Sequence, residues 1–246
     1  MREIPVDKIS RQFEIISSSC EPFLLKECIE PEKTERKITY KNEVKQNINE
    51  RSLKSQKLFN YCKQYVAFFR SRSFEFLFID YSLGRFVYEF DDRDFLISSN
   101  LYWNPCPLNM QFIKEIGLSG LDVMEYIDNI ADKEKLELDQ ISLRTPIRLD
   151  YIREYNDKNI EYHPQWHMHY QHKDTRAKTQ NMLSLYSYIL FILENCYPLI
   201  YQAKEHEEKI DMLRKLERES IQGFKVRKSV HGIYGNKIHT VIGLEH

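Results

Sequence analysis

Residues 74–103 constrain the fold more than any other stretch. Three runs of aromatic and β-branched residues, "FEFLFI", "RFVYEF" and "FLISSNLYW", are separated by the turn-rich "DYSLG" and "DDRD". Such runs, with turn residues between them, predict a three-stranded antiparallel meander. Side chains two apart on a strand share a face. Phe74, Phe76 and Phe78 therefore form one apolar stripe, and Phe86, Tyr88 and Phe90 another. Pro105 and Pro107 close the third strand.

On either side of the meander the pattern turns helical. Residues 5–18 suit a short amphipathic helix, and residues 29–50 are polar and charged, as a linker or solvent-facing segment would be. In 52–70, Leu58, Cys62, Tyr65 and Phe69 recur at helical spacing, with Lys54, Lys57 and Lys63 as a solvated face. Helices are also expected over 108–117 and 120–132, the second with Leu121, Met124, Ile127 and Ile130 on one face. Strand character returns over 142–152, where Pro146 predicts an edge position or a bulge. After the polar loop 153–159, residues 160–171 form the partner strand of a hairpin. Residues 180–197 are apolar nearly all round and predict a central buried helix, which Pro198 breaks or restarts. Residues 203–222 are a charged helix with a thin seam of Ile210, Leu213, Leu216 and Ile221. Residues 224–242 carry Lys225, Arg227, Lys228 and Lys237 without an acid and suit a small terminal hairpin.

This order predicts an α+β fold: a mostly antiparallel sheet of about five strands, helices on one face, and one central buried helix. Along the chain it divides into an N-terminal helix and polar linker (1–50), a core α+β domain (51–200), and a charged helix with a basic C-terminal segment (201–243). The closing "LEH" at 244–246 reads as a tag remnant.

Composition removes several function classes. With 7 glycines in 246 residues, the chain has no glycine-rich phosphate loop of either common pattern. A net charge of −1 provides no overall field, so nucleic-acid binding would need a local patch. Cys20, Cys28, Cys62, Cys106 and Cys196 are scattered and odd in number, as in a reduced cytoplasmic protein. No secretory leader is recognisable, and no run of 18 apolar residues occurs, so no membrane association is expected.

Chemistry concentrates in "YHPQWHMHYQHKDTRAKT", residues 162–179, which hold His163, His167, His169 and His172. Strand alternation sends Trp166, Met168 and Tyr170 toward a core and His163, His167 and His169 to the opposite face. On the preceding strand, Arg144, Arg148 and Asp150 share a face and Ile147 and Leu149 share the other. Pairing the two strands would merge the Arg/Asp and His faces. His172, Lys173, Arg176 and Lys178 would form a basic rim leading to the apolar helix.

Four readings of this face stand side by side. His167, His169 and Asp150 could ligate a divalent metal. His167, His169 and His163 could serve as acids or bases beside Asp150, with Arg148, Arg176, Lys173 and Arg144 holding phosphate oxygens. The same residues could bind nucleic acid without chemistry. Finally, the face could be a hydrogen-bonded surface covered by another segment or a partner chain. Paired H-x-[ST] motifs, H-E-x-x-H, a His-Asn-His nuclease arrangement and a D…E-x-K core are all absent.

Two stretches, "FIDYSLGRFVYEFDDRDFLISSNLYWNPCP" (78–107) and "TPIRLDYIREYNDKNIEYHPQWHMHYQHKDTRAKTQNMLSLYSYILFILENCYP" (145–198), resemble the bacterial domain of unknown function 2290. Pro146, Ile147, Arg148, Asp150, His163, Pro164, His167, His169 and Arg176 fall on its pattern, while "QHKDTRAKT" is more basic than that family's small-residue loop. The resemblance names no reaction. It implies the setting of bacterial mobile-element and phage-defence genes. The combined expectation is a cytoplasmic defence-type protein acting on nucleic acid or nucleotide phosphates. The alternative is a non-enzymatic subunit that docks a protein partner through its polar face and the 203–222 helix.

Overall fold

A computed structural model describes residues 4–21, 23–42, 54–133, 140–142, 144–153, 166–170, 176–178 and 184–221. Its frame is a sheet of nine strands, every pairing antiparallel. The expected meander is β4 (Phe76–Phe78), β5 (Leu83–Phe90) and β6 (Leu96–Asn104). The expected hairpin is β7 (Ile147–Ile152) with β8 (Trp166–Tyr170). Four short strands raise the count above five: β1 (Leu25–Cys28), β2 (Glu32–Lys33), β3 (Lys37–Thr39) and β9 (Arg176–Lys178). The strand order is β1-β4-β5-β6-β7-β8-β9, with β3 beside β5 and β2 beside β3.

The linker reading of 29–50 is thus corrected over its first part. Ile38 of β3 is fully buried where that strand pairs with Val87–Glu89 of β5, and it anchors the extra edge. Residues 43–53 lie outside the described residues. Pro146 immediately precedes β7, where it removes no ladder hydrogen bond, and β7 is therefore an interior strand and not an edge.

Helices cover both faces of the sheet, not one. On one face, α1 (Pro5–Cys20), α5 (Leu185–Cys196) and α7 (Glu207–Ile221) close a core over Phe76, Phe86, Tyr88, Leu101, Trp103, Leu149, Tyr151 and Met168. As expected, α5 is buried on nearly every side, and a short helix α6 (Pro198–Tyr201) restarts the chain at Pro198. Ser184 caps α5 by accepting from the Ser187 amide, and buried Gln12 of α1 accepts from the Leu185 amide. On the other face, α2 (Lys54–Arg70), α3 (Met110–Glu115) and α4 (Leu121–Lys133) form a second core with Phe74, Leu77 and Leu83. Residues of α1 and α7 thus share the main core with the sheet.

Two side-chain expectations change. Phe74 precedes β4 and joins the second core, apart from Phe76 and Phe78. Leu121 opens α4 and is 70% exposed, while Met124, Ile127 and Ile130 are buried as expected, joined by Val123. The α7 seam faces inward: Ile210 and Leu213 are buried and Leu216 packs against the core.

Gly84 sets the approach of α5 to the sheet. A Cβ there would lie 3.0 Å from the Tyr188 hydroxyl, 3.0 Å from Phe78 Cε2 and 3.1 Å from Phe76 Cβ. Tyr188 is held in place, since its hydroxyl donates to the Tyr102 carbonyl at 2.6 Å. Gly84→Ala is expected to destabilise by about 1–3 kcal/mol, read by urea denaturation. Glu75 also lies wholly buried between the strands, its Oε2 accepting the Phe86 amide at 2.9 Å. Burial pushes its carboxyl up to about 8, against the opposing pull of the Phe86 amide and the Arg85 charge. A raised acid favours the fold below its unfolded value, and this contribution is lost as pH rises through the folded value. Stability should fall between about pH 4.5 and 8 in the unsubstituted chain, and Glu75→Gln should flatten that slope.

Candidate functional site

The β7–β8 register decides which side chains meet. Asp150 lies opposite His167, Arg148 opposite His169, and Leu149 opposite Met168. Alternation then buries Leu149, Tyr151 and Met168 in the main core, with Trp166 packed partly against it 4.1 Å from the Tyr151 ring. Arg148, Asp150, His167 and His169 occupy the reverse face, as the sequence pattern predicts.

Register carries this face across five strands. One row runs Arg85, Tyr102, Arg148, His169 and Arg176, and the adjacent row runs Val87, Asn100, Asp150, His167 and Lys178. At the β5 end, the Arg85 guanidinium is sandwiched between the rings of Tyr40 and Phe68, at 3.9 and 3.7 Å, so α2 closes that side. Toward β9 the neighbours of the two histidines are basic positions.

Asp150 is the hub. It is 5% exposed, and His167 and His169 are 1% and 5% exposed. Asn100 donates to Asp150 Oδ1 at 2.8 Å. The other oxygen, Oδ2, lies 2.7 Å from Arg148 Nε, 3.1 Å from His169 Nε2 and 3.6 Å from His167 Nε2. The 2.7 and 3.1 Å separations fall within hydrogen-bond range, but the N–H directions of Arg148 and His169 miss the oxygen. Neither ring nitrogen of His169 has a hydrogen-bond partner among the described residues. The two imidazoles meet edge to face, their centroids 4.7 Å apart. Burial works to raise the Asp150 carboxyl, but nearby His169, the Arg148 charge and the Asn100 amide outweigh it and hold the group below its ordinary value. The carboxylate is therefore charged at neutral pH, beside a half-exposed guanidinium that balances it.

The structure does not bring every expected residue together. Arg176 is paired in register with His169. Arg144 points elsewhere: it forms an ion pair with Asp80, which also accepts the Tyr197 hydroxyl at 2.8 Å, and lies over the Trp103 ring. His163, His172 and Lys173 lie outside the described residues. Asn100 and Tyr102 are neighbours of the site that the sequence reading missed. Their signal was present as the polar alternation in "SSNLYW", but it becomes informative only once β6 is known to pair with β7.

Cysteine chemistry is not part of this face. All five thiols are free, and burial pushes Cys20, Cys62, Cys106 and Cys196 up to about 12 and Cys28 up to about 11. They stay protonated at neutral pH and are poor nucleophiles. Among the described residues, no helix is long and apolar enough to cross a membrane.

The class defined here is an antiparallel α+β protein with a buried His–Asp cluster, beside a half-exposed arginine, on the side of the sheet away from its main core. The chain belongs to the family described as Uncharacterized conserved protein (DUF2290), whose family model matches residues 24–239, from just before β1 to beyond α7. Comparison with curated proteins and with solved structures gives no match.

Because the Asp150 carboxyl is lowered by its surroundings, it stabilises the fold fully above its unfolded value near pH 4, and that contribution is lost on further acidification. Asp150→Asn should lower stability at pH 7 by roughly 1–3 kcal/mol and soften the acid limb below about pH 4, both read by denaturant unfolding across pH.

Proposed function

We propose that this sheet face acts on the phosphate groups of nucleic acid or nucleotides. One observation carries the reading: Asp150, His167 and His169 converge beside Arg148, in two adjacent register rows that end at Arg176 and Lys178. Imidazoles change protonation near neutral pH and suit proton transfer at a phosphoester. Asp150 would orient the two rings, and His163 would join as a further acid or base. Arg148 would meet phosphate oxygens, which a guanidinium can grip with two parallel bonds. Arg176 and Lys173 would extend that contact. Arg144 has no part in it, since Asp80 engages its guanidinium.

The competing reading, a non-enzymatic subunit docking through 203–222, finds less support. The apolar seam of that helix is already spent on the chain's own core. The cytoplasmic, defence-type setting is proposed from the family resemblance and from the reduced, buried thiols.

Fluorescence anisotropy with a labelled single-stranded oligonucleotide, repeated over a salt series, tests binding. Arg148→Ala should weaken it by about tenfold and reduce the salt slope by about one. Chromatography of the oligonucleotide and of nucleoside triphosphates tests turnover, which His167→Gln and His169→Gln should each slow by about 100-fold or more. Circular dichroism checks that the variants fold. Absence of binding at low salt by the unsubstituted chain, or variants that bind and turn over as it does, would show the reading to be wrong.

A further inference from the structure

We infer that Asp150, His167 and His169 bind one divalent transition-metal ion of the zinc class. The inference deepens the phosphate-directed reading and rests on it for the role of the ion, though not for its binding. One donor atom from each of the three residues lies within 4.8 Å of the others, and all three residues are buried. Asp150 Oδ2 is 3.1 Å from His169 Nε2 and 3.6 Å from His167 Nε2. Ligand atoms about 2.1 Å from a tetrahedral ion stand roughly 3.4 Å from one another, close to both Asp150–histidine separations.

Their alignment strengthens the case. If His169 served only to hydrogen-bond Asp150, its Nε2–H would lie on the line to the carboxylate. It does not, and Nδ1 has no partner either among the described residues. A buried imidazole whose nitrogens meet no described partner in good hydrogen-bond geometry suits a third atom shared with Asp150 Oδ2. The backbone holds them there. Asp150 and His167 are paired across the β7–β8 ladder, and His169 follows two residues along the same strand. Asn100 occupies Asp150 Oδ1, and Oδ2 faces both histidines with Arg148 beside it, in the way outer partners orient metal ligands.

Donor chemistry selects the ion. Two nitrogens and one oxygen favour zinc and its transition-metal neighbours over magnesium or calcium, which prefer oxygen alone. Three protein ligands also leave a coordination position for water or substrate. Charge points the same way. A divalent ion with one carboxylate and two neutral imidazoles leaves an excess of positive charge, to which the half-exposed Arg148 adds and which an anionic phosphate oxygen would balance.

The test uses the full chain without appended histidines, stripped with a chelator and titrated with zinc against a chromophoric competitor. The expected result is one equivalent bound more tightly than about 1 μM. Asp150→Asn, His167→Gln and His169→Gln should each weaken it at least about tenfold. Cobalt bound to the unsubstituted chain should produce visible d–d absorption and shift the ring NMR signals of two histidines, a readout that needs no variant to fold. Binding weaker than about 100 μM, unshifted histidine signals, or full affinity in both histidine variants would overturn the inference. Oligonucleotide binding is measured in parallel, with zinc and with chelator. Zinc uptake without oligonucleotide binding sinks the phosphate reading and keeps the metal site. Oligonucleotide binding by protein that takes up no zinc does the reverse.

Discussion

Everything at the candidate site depends on the register between β7 and β8. A strand alternates its side chains strictly, so a slip of one residue would exchange the two faces. Leu149, Tyr151 and Met168 would then lose their place in the core, and Asp150, His167 and His169 would be driven into it. Burying each large apolar side chain gains about 1.5–3 kcal/mol, and burying an unbalanced charge costs more than any one of those gains. Both terms oppose the slip. The apolar face therefore fixes the polar one, and the site's geometry is a consequence of core packing on the other side of the sheet.

The division of the helices explains why a polar face survives in a chain so rich in aromatic residues. Among the described residues, the second core, under α2, α3 and α4, covers the reverse face around β4 and the start of β5. Arg85, clasped by Tyr40 and Phe68, marks where that cover ends. Beyond it the reverse face of β6, β7 and β8 is lined by Asn100, Tyr102, Arg148, Asp150, His167 and His169. The low dielectric of this partly covered surface raises the stakes for each group. Asp150 remains charged because an arginine, an amide and a histidine surround it.

Local pattern carried much of the fold. The aromatic runs became β4, β5 and β6, the apolar stretch at 185–196 became the central helix, and the alternation in "WHMHY" divided core from site as the period of a strand demands. Where local pattern misled, a distant partner was responsible. Ile38 and Tyr40 are a short alternation in a charged stretch, yet β5 recruits Ile38 as part of a strand. Arg144 has the spacing to share a face with Arg148, but it precedes the strand and a buried carboxylate at position 80 captures it. Leu121 fits a helical stripe and is nevertheless exposed, because the helix begins there with nothing packed over its first turn.

The sequence by itself determined the residue types, their period, and hence which histidines share a face with Arg148 and Asp150. Those follow from the two-residue repeat of a strand, a property of covalent geometry and local sterics. Only the tertiary structure decided that β6 lies beside β7 across the long connection from 104 to 147, which brings Asn100 to Asp150 and Tyr102 to Arg148. That pairing is settled by the burial of the whole sheet between its helices. No short stretch encodes it, because the free energy that selects it is shared among residues far apart in the chain.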